Sequence, residues 1–331
     1  MFADLRSRLC FALVLCLVAT AAAAGPDIWS REWARTDFTQ KSIDFSEILS
    51  GGPPKDGIPS IDKPKFLPAG TVSELGPEEP VITVAVDGKA RAYPLSILIW
   101  HEIVNDKIGS TPLTVTYCPL CNSAIVFDRR VGGKVLDFGT TGKLRNSDLV
   151  MYDRQTESWW QQFLGEAIVG EMTGTRLKTI PARLESFTLF KERYPDGEVL
   201  VPNNPGHRNY GYNPYGGYDG RSGPYGLFEG DLPTDIEPMA RVVAFKLKGE
   251  PHAVALKLLS DKNRLDLGDV VLSWTAGQNS ALDGPIIKQG RDVGNIVVQR
   301  KTDAGLEDMV YDVTFAFVFH AFHPDRKIQQ N

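Results

Sequence analysis

The chain has little cysteine and lacks the short motifs that identify several common enzyme classes. Only four cysteines occur among 331 residues, which excludes a framework of many disulfides. The sequence contains no Gly-x-Ser-x-Gly nucleophile turn, glycine-rich phosphate loop, Cys-x-x-Cys-His haem attachment site or His-Glu-x-x-His pair. The enzyme classes that depend on those motifs are therefore excluded.

Long apolar runs and strong net charge are also scarce. The formal net charge is −5, which argues against a surface for nucleic acid or anionic lipid. The single long apolar run, residues 9–19, is too short to remain as a membrane anchor. We expect the mature chain to have no nucleic-acid partner and no integral membrane segment. We expect it instead to bind a metal ion or a small-molecule ligand.

The amino-terminal segment is typical of a secretory signal. Arg6 and Arg8 precede the apolar run, and three alanines ending at Ala24 follow it. We predict cleavage after Ala24 and a periplasmic or secreted mature protein. Since Cys10 and Cys16 are removed with the signal, the mature chain keeps two cysteines.

The remaining composition favours a β-rich fold. The 31 glycines and 22 prolines are typical of many short strands and turns. Residues 84–93 alternate around Asp87-Gly88, which predicts a tight hairpin, and residues 243–254 form a similar pattern. Residues 117–124 and 274–281 also match and share Asn-Ser-Ala. Residues 150–153 and 309–312 match as well and share Tyr-Asp.

These matches occur in the same order, so we predict an internal duplication. The expected fold class is α+β, β-rich, with two related units packed together. In chain order, we predict an extension at 25–79, a first unit at 80–180, a connecting segment at 181–238, a degenerate second unit at 239–324 and a tail at 325–331.

The two remaining cysteines lie in the sequence Tyr-Cys-Pro-Leu-Cys-Asn-Ser-Ala, residues 117–124. Alternating patterns on both sides, at 113–117 and 124–128, place the cysteines in a turn between two strands. Upstream, residues 93–102 predict a short helix with Pro94 in its first turn, which would bring His101 close to the thiols.

These motifs together resemble the bacterial and archaeal family catalogued as domain of unknown function 3179. The resemblance is based on residues 101–106, the cysteine motif and residues 147–161, and it covers about 80–324. Since that family has no settled activity, the resemblance implies a fold unit and a site location but no reaction.

Cys118 and Cys121 are candidate metal ligands, because thiolates favour copper(I) and zinc and this spacing lets both sulfurs face one ion. His101 is the expected third ligand. We expect residues 317–324 to form a strand, which places His320 and His323 on opposite faces so that at most one joins a given site, and His323 is the second choice. Thiol redox exchange and an inert local disulfide remain open alternatives.

Two aromatic segments are candidates for ligand binding. Asp153, Arg154, Trp159 and Trp160 can line a polar pocket with an aromatic wall, or can form a hairpin turn over a core. The tyrosine loop, residues 207–225, contains five of the ten tyrosines.

In this loop Tyr212, Tyr215 and Tyr218 are expected to bind a ligand or cover a site, unless the loop is an Ω-type connection packed by its own rings. The leading hypothesis is an exported soft-metal-binding protein, with copper(I) ahead of zinc. A periplasmic thiol-redox or metal-assisted enzyme, and a non-catalytic ligand or polysaccharide binder, are the alternatives.

Overall fold

A computed structural model describes residues 25–331, and the predicted signal, residues 1–24, lies outside the described residues. The structure is 40% strand and 14% helix, so the predicted β-rich character is confirmed. None of the helices in residues 25–331 combines the length and apolarity needed to cross a membrane.

The strands are short and follow one another closely along the chain. In chain order they are β1 (Ile48–Ser50), β2 (Lys65–Pro68), β3 (Pro80–Val86), β4 (Lys89–Pro94), β5 (Ile103–Ile108), β6 (Thr111–Cys118), β7 (Ser123–Asp128), β8 (Arg130–Val131), β9 (Lys134–Val135), β10 (Phe138–Arg145), β11 (Asp148–Asp153), β12 (Trp159–Gln161), β13 (Glu166–Val169), β14 (Thr179–Ile180), β15 (Arg183–Ser186), β16 (Glu198–Val201), β17 (Arg241–Leu247), β18 (Glu250–Ala255), β19 (Arg264–Leu267), β20 (Val270–Thr275), β21 (Asn295–Thr302), β22 (Gly305–Asp308), β23 (Tyr311–Phe315) and β24 (Ile328–Gln329).

The helices are also short. The α-helices are α1 (Pro26–Trp29), α2 (Leu95–His101), α3 (Phe187–Arg193), α4 (Leu256–Lys262) and α5 (Ala316–Phe322). Single 3₁₀ turns occur at Phe45–Glu47, Ala69–Thr71, Tyr218–Gly220 and Ile287–Gln289.

Five sheets form a five-bladed, propeller-like ring. Their strand orders are β1-β10-β11-β12-β13 in sheet 1, β14-β7-β6-β5 in sheet 2, β15-β3-β4-β16-β2 in sheet 3, β23-β17-β18-β24 in sheet 4 and β19-β20-β21-β22 in sheet 5. Strand β7 of sheet 2 contacts β23 of sheet 4, and β10 of sheet 1 contacts β5 of sheet 2. With these contacts, the last residue of β6 lies close to the first residue of β11.

The two hairpins expected from the sequence are confirmed. Strands β3 and β4 turn at Asp87 and Gly88, and β17 and β18 turn at Lys248 and Gly249; φ is positive at all four residues. Two successive positive φ values match the right-handed twist of the flanking strands. The predicted short helix is also present as α2, directly after β4.

Strand pairing does not follow the predicted unit boundaries. Strand β2 from the expected extension, and β15 and β16 from the expected connection, complete sheet 3 beside β3 and β4. Strand β24 from the expected tail completes sheet 4. Tyr152 lies on β11 inside sheet 1, whereas Tyr311 begins β23 at the edge of sheet 4. This pair of sequence landmarks therefore does not occupy matching positions.

Candidate functional site

The two free cysteines lie in the tight connection between β6 and β7. Cys118 ends β6, and Asn122 takes a positive φ of 51° so that β7 can begin at the next residue. Inside the turn, the amide of Cys121 donates to the carbonyl of Cys118 at 3.2 Å. Both thiols are free and buried, with exposed fractions of 2% for Cys118 and 0% for Cys121. The predicted turn between two strands is confirmed.

A carboxylate from sheet 1 lies beside these thiols. Asp148 begins β11, after Asn146 and Ser147, whose φ values are 53° and 61°. The Cys118 thiol lies 3.6 Å from the Ser147 carbonyl oxygen, to which it donates. The two sulfurs and one carboxylate oxygen of Asp148 lie within 4.8 Å of one another, and no other cluster of this kind occurs in residues 25–331.

Only one side of the Asp148 carboxylate is hydrogen bonded. Oδ2 accepts from Gln161 Nε2 at 2.5 Å and from the Phe163 amide at 2.9 Å. Oδ1 is buried and has no hydrogen-bond partner among the described residues. A buried oxygen of this kind carries a free-energy cost unless some other group satisfies it.

The site is electrostatically unfavourable for negative charge. Burial, and to a smaller extent the charge of Asp148, raises the pKa of Glu102 to about 8, and burial raises the pKa of Asp148 to about 7. Burial also raises the pKa of Cys118, and raises that of Cys121 well above its usual value. Without a cation, these groups therefore hold most of their protons near neutral pH.

Glu102 owes its place to the end of α2. Its φ of 57° is rare for a residue with a side chain, and its carbonyl accepts from the amide of Tyr117 at 2.8 Å. The side chain is buried, and its negative charge is among the causes that raise the pKa of Cys118. Backbone strain of this kind concentrates at functional sites.

The structure does not place His101 with the thiols. Its Nδ1 lies 2.7 Å from the Pro59 carbonyl oxygen, and its Nε2 lies 2.8 Å from the Tyr210 hydroxyl. Because a carbonyl can only accept, Nδ1 carries the proton and Nε2 accepts from Tyr210. Both nitrogens are therefore engaged elsewhere. His101 is the last residue of a helix whose end turns it toward the tyrosine loop, and the predicted third ligand is corrected.

His323 is also outside the cluster that the thiols form with Asp148. The segment expected to be a strand is α5, and His323 follows its last residue and packs on Phe319 with ring centroids 5.1 Å apart. It lines a cleft of about 1050 Å³ with Phe163 and Phe322. The strand prediction was wrong because an apolar run cannot distinguish a buried helix from a buried strand by periodicity.

The predicted pocket around Asp153 is a structural turn over a core. Trp159 and Trp160 are fully buried, and Trp160 Nε1 donates to Asp153 Oδ2 at 2.9 Å. Thr156 donates its amide to Asp153 Oδ1 at 2.6 Å. Arg154 instead forms ion pairs with Asp56 and Asp62. The tryptophans and Asp153 are inaccessible to a ligand, because hydrogen bonding and packing already occupy them.

The three candidate tyrosines have different environments. Tyr212 is 40% exposed, Tyr215 is partly buried against the core, and Tyr218 is fully buried. The Tyr218 hydroxyl donates to the Leu120 carbonyl in the cysteine turn at 2.9 Å. Of the three tyrosines, Tyr218 therefore contacts the cysteine turn and Tyr212 faces solvent.

Asp148 was not among the residues predicted to join the cysteines. The signal available was one acidic residue at the head of the apolar run 149–152, directly after the polar pair Asn146-Ser147. Nothing in the spacing of 27 residues between Cys121 and Asp148 indicates contact. Glu102 was visible only as a neighbour of His101.

Comparisons with known proteins give one match. A family model described as "Protein of unknown function (DUF3179)" matches residues 55–326. No curated protein and no solved structure matches the chain.

Proposed function

Because the chain belongs to the protein family of unknown function DUF3179, which supplies no activity, we propose from the site itself that it binds one metal ion through Cys118, Cys121 and Asp148. The residues outside this cluster that were expected as ligands, His101 and His323, are not part of the proposal.

One observation carries the proposal: Asp148 Oδ1 is buried without a hydrogen-bond partner in the described chain, beside two free thiols. The Cys121 thiol, a weak donor, interacts with the Asp148 carboxylate and is the one neighbour in the described chain that partly compensates Oδ1 when no cation is bound. A bound cation would supply the missing partner and would also compensate the negative charge that the site otherwise disfavours.

The donor set favours zinc. In a tetrahedral zinc site with Zn–S bonds of about 2.3 Å, neighbouring ligand atoms lie about 3.7 Å apart. Ligand atoms that already lie within 4.8 Å of one another therefore need to approach by at most about 1 Å. Copper(I) is satisfied by thiolates alone, whereas a carboxylate is a good zinc ligand. We therefore place zinc ahead of copper(I), reversing the order expected from the cysteines alone.

Metal content and thiol protection test the proposal. Protein stripped with a chelator under reductant should rebind about one zinc per chain, and zinc should slow modification of both thiols. A Cys118→Ser, Cys121→Ser double variant should lose this zinc. The proposal is wrong if the folded double variant binds zinc with unchanged stoichiometry and affinity.

The alternatives receive less support from the geometry. Thiol–disulfide exchange requires an accessible thiolate, and both thiols are buried with raised pKa values. Ligand binding by the tyrosine loop would depend on exposed rings, and of the three candidates only Tyr212 is largely exposed.

We also propose that sheets 2 and 3 are related by duplication to sheets 5 and 4. In both halves a hairpin leads to a seven-residue helix, α2 or α4, and then to a strand pair. The residue directly after each helix, Glu102 after α2 and Asn263 after α4, has a positive φ. The Glu102 carbonyl accepts from the amide of Tyr117, and the Asn263 carbonyl accepts from the amide of Trp274. We further propose that the chain is exported and cleaved after Ala24. In an oxidising compartment, a bound metal would protect the two retained thiols from oxidation.

A further inference from the structure

The cysteine turn is held by residues that lie far away in the sequence. Within the turn, the carbonyls of Cys118 and Pro119 accept from amides of the turn itself, both at 3.2 Å. The next two carbonyls accept from outside the turn. That of Leu120 accepts from the Tyr218 hydroxyl at 2.9 Å, and that of Cys121 accepts from Thr314 Oγ1 at 2.8 Å and from the Phe315 amide at 3.3 Å. All four carbonyls of the Cys-Pro-Leu-Cys turn are thereby hydrogen bonded.

Tyr218 is itself fixed on several sides. Its ring is fully buried, stacks on Tyr225 with centroids 4.5 Å apart and meets Phe315 edge-on at 5.8 Å. This packing fixes the Tyr218 ring between Tyr225 of the same loop and Phe315 of β23. The hydroxyl that reaches Leu120 therefore has little freedom to move.

A buried ion cluster anchors the residue that follows. Asp219 accepts from Arg241 at 2.9 Å and from Arg291 at 3.0 Å, and both contacts are ion pairs. The Ser280 hydroxyl also donates to Asp219, at 2.5 Å. Because the Asp219 side chain is fully buried, this cluster connects the tyrosine loop firmly to sheets 4 and 5.

We infer that Tyr218 is a positioning residue for the thiol site. Its hydrogen bond to the Leu120 carbonyl holds the cysteine turn in the conformation that binds the metal, and it keeps both sulfurs inaccessible to solvent. The inference rests on the proposed function for its metal part only. A short turn with two sulfurs has many conformations of similar energy, and fixing one of them before the metal arrives lowers the entropy lost on binding.

Tyr218→Phe tests this role, because it keeps the ring and removes the hydroxyl. Tyr212→Phe is the matched control on the exposed part of the same loop. In metal-free protein at pH 8, iodoacetamide should modify Cys118 and Cys121 at least tenfold faster in Tyr218→Phe than in the wild type and in Tyr212→Phe. Peptide mass spectrometry measures the rate at each thiol.

Cobalt(II) provides a spectroscopic signature of the sulfur positions. We expect the thiolate-to-cobalt charge-transfer bands of Tyr218→Phe to be weaker or shifted at saturating cobalt, and those of Tyr212→Phe to match the wild type. Thr314→Val removes the shorter of the two outside hydrogen bonds that the Cys121 carbonyl accepts and leaves the one from the Phe315 amide. It should raise the modification rate in the same direction, and it replaces Tyr218→Phe if that variant does not fold.

A destabilised variant separates positioning from general loosening. Val298→Ala creates a cavity at a fully buried position in β21. The inference is overturned if Tyr218→Phe is modified at the wild-type rate, or if Val298→Ala with the same loss of Tm is modified equally fast. If neither the wild type nor any variant binds cobalt, but the thiols of Tyr218→Phe are still modified faster, the positioning role stands and the proposed metal function fails.

Discussion

Replacing Asp148 by asparagine separates metal binding from folding, because the two effects have opposite signs. The side-chain amide oxygen that Asp148→Asn introduces can accept from Gln161 and Phe163, as Oδ2 now does. The new amide nitrogen then stands where the unpartnered Oδ1 lies. We expect the variant to fold and to lose one metal ligand.

The gain in metal-free stability follows from the pKa of the carboxyl. Burial raises the pKa of Asp148 from 3.8 to about 7. The native state therefore binds this proton more tightly than the unfolded state, and its stability falls as the pH rises from about 4 through 7. Each pKa unit corresponds to about 1.4 kcal/mol, so ionised Asp148 costs about 4 kcal/mol above pH 7. Asp148→Asn removes that cost.

The loss in metal binding is estimated from ligand chemistry. Changing a group that only orients a ligand typically reduces metal affinity about 10–100-fold, so losing a ligand itself should cost at least about 100-fold. In free energy, about 100-fold corresponds to about 2.7 kcal/mol. At a zinc concentration about 100 times the wild-type Kd, binding stabilises the wild type by about 2.7 kcal/mol and the variant by less than about 0.5 kcal/mol.

Urea unfolding at pH 8, with chelator and with buffered zinc, measures both effects. Asp312→Asn is the matched control, because Asp312 is buried, holds the Ala124 amide through Oδ1 at 2.8 Å and has a pKa raised to about 6 mainly by burial. In chelator, the free energy of unfolding of Asp312→Asn should exceed that of the wild type by about 3 kcal/mol. Zinc should stabilise Asp312→Asn as much as it stabilises the wild type. Asp148 is not a zinc ligand if Asp148→Asn keeps the wild-type zinc stabilisation, whatever the result for Asp312→Asn.

Two further predictions concern protons and histidine. Zinc binding near pH 7 should release protons, because ligands with raised pKa values must ionise; calorimetry in two buffers of different ionisation enthalpy measures the number, and a value of zero would contradict the site. His101→Gln should leave zinc affinity within about threefold of the wild type, since both ring nitrogens bind elsewhere. A loss of one equivalent of zinc in a titration of His101→Gln would restore the histidine as a ligand.

Local signals in the sequence were sufficient for the hairpins and for the cysteine turn. Asp87-Gly88 and the alternation around it specify a turn within ten residues, and Cys118 and Cys121 lie close together whatever the rest of the chain does. Turn chemistry and side-chain alternation act over a few residues, which is why they can be read directly.

The histidines show where local reading fails. The end of α2 determines that His101 faces Pro59 and Tyr210, 42 and 109 residues away. The apolar run before His323 is equally compatible with a strand and a helix until α5 packs into the core. In both cases the tertiary partners decided the outcome.

The sequence by itself determined a β-rich chain with two thiols in one turn and a family of unknown activity. Tertiary structure alone decided that Asp148, rather than a histidine, lies beside those thiols, and that Tyr218 and Thr314 hold the turn. The physical reason is that ligand clusters and hydrogen bonds form between sheets whose strands are distant in sequence. Their pairing depends on how the whole ring closes, and a local pattern carries no record of that closure.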